Sequence, residues 1–106
     1  MTEMQTGSAA IQDIYDERQR QIDVEGFDFA RDDKYTDWSL SRVAACYCLA
    51  VSRSSKIIWQ FWPSSWDWNW FKHNSANPRR SLVKAGALIV AEIERLDRAE
   101  DRSKTP

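Results

Sequence analysis

At 106 residues and 12.4 kDa the chain has the length of one domain. Its net charge of −1 excludes a general electrostatic attraction to nucleic acid or to a membrane surface. No apolar run approaches the roughly 20 residues needed to cross a bilayer, and the polar first ten residues lack the apolar centre of a secretory leader, so the expected location is the cytoplasm.

The charge is unevenly spread. Residues 1–40 hold ten acids and four bases, and residues 41–106 hold six acids and eleven bases. The halves can compensate each other inside one fold, or present an acidic and a basic surface to partners.

Residues 1–7 read as a frayed tail. A first helix is predicted from a cap at Ser8 to about Glu25, with Ile11, Ile14, Tyr15 and Ile22 as its apolar stripe, Arg18 on the same line and Gly26 as terminator. Asp13, Asp16, Glu17, Arg20 and Asp23 form its charged face, where Asp16 and Arg20 have the spacing of an i, i+4 ion pair.

Residues 27–36 have no period. Phe27 and Phe29 are expected to fold back on the core, and Asp32 and Asp33 stand just before a second helix, where its dipole favours negative charge. That helix is predicted from a cap at Thr36 or Asp37 to Arg53, with Leu40, Val43, Ala44, Tyr47 and Val51 in phase. Cys46 and Cys48 lie about 200° apart on it and cannot easily pair or jointly hold a metal; both read as reduced thiols.

The segment from Ile57 to Pro78 carries Trp59, Trp62, Trp66, Trp68 and Trp70, broken by Pro63 and two serines. It is expected to be an irregular aromatic loop with at most a single helical turn, held down by its own rings. A third helix follows from the cap Asn77 and Pro78 at its first position to Arg98. Leu82, Ala85, Gly86, Ile89, Ile93 and Leu96 are predicted as its buried face, widened by Val83, Leu88 and Val90. Residues 99–106 read as a solvated tail. The fold class is therefore all-α: a three-helix, bundle-like single domain with a long Trp-rich loop between helices 2 and 3.

Arg79 and Arg80 stand in the first turn of the third helix, whose partial positive charge makes them electrostatically misplaced without an anion. Lys84 extends the same basic face. The anion is either external, such as a phosphate, or an acid of the same chain, with Glu17, Glu25, Asp32 and Asp33 as candidates. Trp66, Trp68 and Trp70 beside these bases suit stacking on a nucleobase or anchoring a protein interface, or they cover the helices as core. Carboxylate spacing gives a weaker magnesium reading: Glu94 and Asp97 match the ExxD of small all-α nucleotide pyrophosphohydrolases, with Asp13 and Asp16 or Glu17 as the other half. His73 is the lone histidine and has no evident nucleophile, and no glycine-rich phosphate loop exists. The sequence implies no cofactor and no resident metal.

Asp16-Glu17-Arg18-Gln19-Arg20-Gln21, Glu25-Gly26, Asp32-Asp33, a Trp-Pro segment, and Arg79-Arg80 leading into LVKAGALIVAEIERLDR together resemble a family of small accessory proteins of tailed bacteriophages and prophages. The resemblance spans residues 11–98 and is most specific in the last helix. Where the family has WPW and WWK, this chain has Trp62-Pro63-Ser64-Ser65-Trp66 and Trp70-Phe71-Lys72. The resemblance implies a phage-encoded protein in the host bacterial cytoplasm that binds rather than catalyses. Such proteins block a host enzyme or a defence system, either by occluding a protein surface or by sequestering a nucleotide signal, and the expected contact face is Arg79, Arg80, Lys84 and the tryptophans. The alternative is a nucleotide-binding or nucleotide-hydrolysing helical domain using Glu17, Asp32 and Asp33. A third reading is self-association through the aromatic loop.

Overall fold

The computed structural model describes residues 8–52 and 55–104, so the expected tail at 1–7, Arg53 and residues 105–106 lie outside the described residues. Five helices and one 3₁₀ turn, with no strand among the described residues, make the domain all-α as expected. Helix α1 spans Ala9–Asp23, α2 Phe29–Asp32, α3 Ser39–Val51, α4 Ser55–Phe61 and α5 Pro78–Lys104; the 3₁₀ turn is Trp68–Trp70.

The local signals hold. Ser8 caps α1 by accepting from the Ile11 N–H, and Gly26 turns the chain at φ 80°. Asn77 Oδ1 accepts from the Arg80 N–H, with Pro78 at the first helical position. α5 runs past Arg98 to Lys104, and its last turn is helical although solvated. The aromatic segment holds more helix than expected, because α4 occupies its start.

The start of α3 is built differently from expectation. Trp38 is its cap residue, in the left-handed region at φ 68° with no side-chain hydrogen bond. Asp37 accepts from the Ser39 N–H at 3.2 Å. The neighbouring Ser41 N–H is taken by Glu92 of α5 at 3.1 Å, so another helix supplies part of the cap.

α5 is the central element, with α3 and α1 packed against it. The core is Leu40, Val43, Ala44, Tyr47, Trp66, Ala85, Leu88 and Ala91, closed by Phe27, Tyr35, Trp62 and Phe71. Small residues on α5 let the flanking helices approach. At Gly86 an added methyl would lie 2.8 Å from Ile14 Cδ1 and 3.1 Å from its Cγ1.

Two predicted faces are corrected. The buried residues of α1 are Glu17, Arg18 and Gln21, while Ile11 and Tyr15 of the predicted stripe are exposed. α5 buries Ser81, Val83, Ala85, Ala87, Leu88, Ala91, Glu92 and Arg95, and leaves Leu82, Ile89, Ile93 and Leu96 about half exposed. The polar groups that take the inside do so in pairs: Arg18 donates to Asp32 at 2.8 Å and to Glu94 at 3.0 Å, and Arg95 donates to Glu92 at 2.6 Å. Paired this way, ions can occupy positions where single charges could not.

Candidate functional site

Both guanidinium groups that open α5 are met from within the chain. Arg79 pairs with Asp13 at 2.8 Å, and Arg80 pairs with Glu17 at 2.5 Å. Of the two anions weighed for them, the structure has the intramolecular one. Glu17 also accepts two bonds from Arg20, at 2.8 and 2.9 Å, and one from Gln21 at 3.2 Å. The expected Asp16–Arg20 pair is replaced by Arg20 with Glu17 and Glu25, and Asp16 accepts from Gln12. Burial pushes the Glu17 carboxyl upward, but Arg20 and Arg80 outweigh it and hold the group below its ordinary value.

Asp32 and Asp33 diverge. Asp32 is fully buried against Arg18, and burial raises its pKa to about 6 despite that partner. Asp33 faces α5, where Arg98 and Arg102 pair with it at 2.8 and 3.2 Å. The two therefore do not join Glu17 in one site. The carboxylates of the magnesium reading are similarly dispersed, with Glu94 on Arg18 and Asp13 on Arg79. Among the described residues no group of three metal-binding side chains comes together.

Four of the expected contact residues do meet. Glu17, Lys84, Trp66 and Trp70 line one cavity of about 150 Å³ between α1, α3, α5 and the aromatic segment. Its apolar wall is Phe27, Tyr47, Val43 and Leu88 with the two indoles, and its charged side is Glu17, Glu25, Arg20, Arg31 and Lys84. The Arg31 guanidinium lies over Phe27 at 4.2 Å and over Trp70 at 5.1 Å, tying α2 to the aromatic segment. Lys84 donates to the Lys72 carbonyl at 2.9 Å and lies 5.8 Å over Tyr47; burial, then the charge of Arg80, lowers its pKa. The Tyr47 hydroxyl accepts from the Lys72 N–H at 2.9 Å, which fixes the end of the loop.

Two lining residues keep an unused polar atom. Gln21 and Trp66 are 4% and 5% exposed, and among the described residues Gln21 Oε1 and Trp66 Nε1 have no hydrogen-bond partner. A buried acceptor and a buried donor left so cost free energy. Beside this cavity a more open hollow of about 230 Å³ shares Glu17 and Arg20 and reaches Arg79 and Arg80.

Trp68 belongs elsewhere. It stacks on Trp59 with ring centroids 4.0 Å apart, on a surface where Trp59 is 63% exposed. His73, the lone histidine, shares a 2.6 Å hydrogen bond with the buried Ser81 hydroxyl.

Sequence reasoning missed Gln21, Arg31 and Tyr47 as cavity residues. Gln21 follows Glu17 by one helical turn and could have been placed beside it. Arg31 gave no signal, since its roles over Phe27 and Trp70 exist only in the folded chain. No protein-family model matches the chain, and no curated protein and no solved structure is detectably similar to it.

Proposed function

We propose that this is a phage-encoded, non-enzymatic binding protein that counters a host defence by sequestering a small anionic ligand with one flat ring, a nucleotide in chemical class. The observation that carries the reading is the cavity that joins Lys84, Trp66, Trp70 and Glu17. Its volume of about 150 Å³ is that of cavities that accept a single benzene-sized ring. A nucleobase therefore enters and the phosphate stays outside. Of the lining rings, Trp70 is the exposed one, at 41%, and serves as the stacking surface. Arg20, Arg31 and Lys84 outnumber Glu17 and Glu25 among the charged groups, which favours an anion.

Thermal unfolding with single nucleotides, linear and cyclic, tests this. Free ligand at about 100 times its Kd adds roughly 2.7 kcal/mol, on the order of 10 °C in midpoint for a domain of this size. Lys84→Met and Trp70→Ala are expected to abolish most of that shift. Absence of a shift with every nucleotide at millimolar concentration rejects the reading. Conversion of the bound nucleotide in the presence of magnesium would transfer support to the hydrolase alternative.

One observation favours docking on a host protein as the second reading. Trp59 and Trp68 are stacked on each other and 63% and 36% exposed. Exposed aromatics of this kind serve as interface anchors.

A further inference from the structure

The outer side of α5 leaves a row of apolar side chains bare. Leu82, Ile89, Ile93 and Leu96 are 48%, 46%, 52% and 41% exposed. With Gly86 they step along the helix by alternating intervals of four and three residues, the heptad alternation by which helices pair. Ile14 of α1 packs at Gly86 and also borders a groove of about 220 Å³ lined by Ile11, Tyr15, Ile22, Phe29 and Val90. Ile11, Tyr15 and Phe29 are themselves 52%, 61% and 52% exposed. At roughly 100 Å² of exposed surface each, these large side chains give about 700 Å² per molecule, more than a monomer ordinarily leaves in one patch.

We propose that this face docks a second copy of the chain, α5 against α5 in antiparallel order, about a two-fold axis passing at Ile89. The two leucines of the stripe are symmetric about this axis, because Leu82 and Leu96 lie equally far in sequence on either side of Ile89. In an antiparallel pair Leu82 of each copy therefore meets Leu96 of the other, the self-complementarity that a two-fold contact requires. Two such faces bury about 1,400 Å², within the range of specific, stable interfaces.

Sedimentation of the full chain over about two decades of concentration tests the proposal. The expected result is a rise from 12.4 kDa to twice that mass. Ile89→Glu with Ile93→Glu is expected to hold the protein at the lower mass with its helical circular dichroism intact, since both side chains are half-exposed in a single copy. Ile89→Cys in a Cys48→Ser background should form a disulfide-linked pair under mild oxidation, while Leu82→Cys in the same background should not, since antiparallel order holds the two Leu82 positions apart and parallel order would bring them together. Trp59→Ala should leave the dimer unchanged. A monomer at every concentration overturns the proposal, as does a dimer that survives the double glutamate variant. Loss of the dimer in Trp59→Ala alone would move the contact to the aromatic segment.

Discussion

Glu17 sits where α1 meets the first turn of α5, out of water and accepting from Arg20, Gln21 and Arg80. Replacing it by Gln leaves the Arg80 guanidinium without an anion and Arg20 with Glu25 alone. The expected loss is about 2 kcal/mol at neutral pH, below the full value for a buried pair because both arginines are partly exposed. Its folded pKa lies below the ordinary 4.5, so its stabilisation is present above that value and disappears as the pH falls through the folded one. Asp32 has the opposite sign. Its carboxyl rises from 3.8 to about 6, so the folded state holds a proton that the unfolded chain has released, and this group withdraws stability as the pH climbs from 4 to 6. The unpartnered Asp32 Oδ1 has the same origin, a carboxylate enclosed with too few donors. Urea unfolding at several pH values should therefore show the deficit of Glu17→Gln shrinking toward acid. The deficit of Asp32→Asn should shrink in the other direction, toward neutral pH.

At the level of elements, the contact of α1 with α5 depends on Gly86. A methyl there would meet Ile14 Cδ1 at 2.8 Å and Cγ1 at 3.1 Å. Helix propensity favours Ala over Gly by about 1 kcal/mol, while overpacking of a fixed neighbour costs about 1–3 kcal/mol. Rotation of the terminal Ile14 carbon relieves the first contact and leaves the second. Gly86→Ala is thus expected to destabilise by about 1 kcal/mol, and to stabilise by a similar amount in an Ile14→Ala background. Denaturation midpoints of the four proteins in this cycle check the reversal. The same contact explains what was legible in the sequence. Ser8, Gly26 and Asn77-Pro78 act through bonds to residues a few positions away, so their roles show in the letters. The inward faces of α1 and α5 do not, because a helical wheel finds the widest apolar arc and packing instead used small residues beside it. Ala85, Ala87 and Ala91 admit the neighbouring helices, and Glu17, Arg18, Glu92 and Arg95 are carried in with their partners.

Across the whole molecule, the acidic first part and the basic remainder are joined by ion pairs between distant elements. Asp13 and Glu17 hold the start of α5, and Asp33 holds its last turns. The charge division was visible in the sequence, but not which acid meets which base, since that needs the path of α1 and α2 around α5. The cavity was half legible for the same reason: Lys84, Trp66, Trp70 and Glu17 stood out as unusual residues, whereas Tyr47 looked like ordinary core. A body only 21 Å through has one further consequence. Little of its chain is far from solvent, so unfolding wets less hydrocarbon than its length suggests. Calorimetry of the double glutamate variant should give a heat-capacity increment below the roughly 1.3–1.6 kcal/mol/K usual for this many residues, and hence a shallow stability curve that chilling barely lowers.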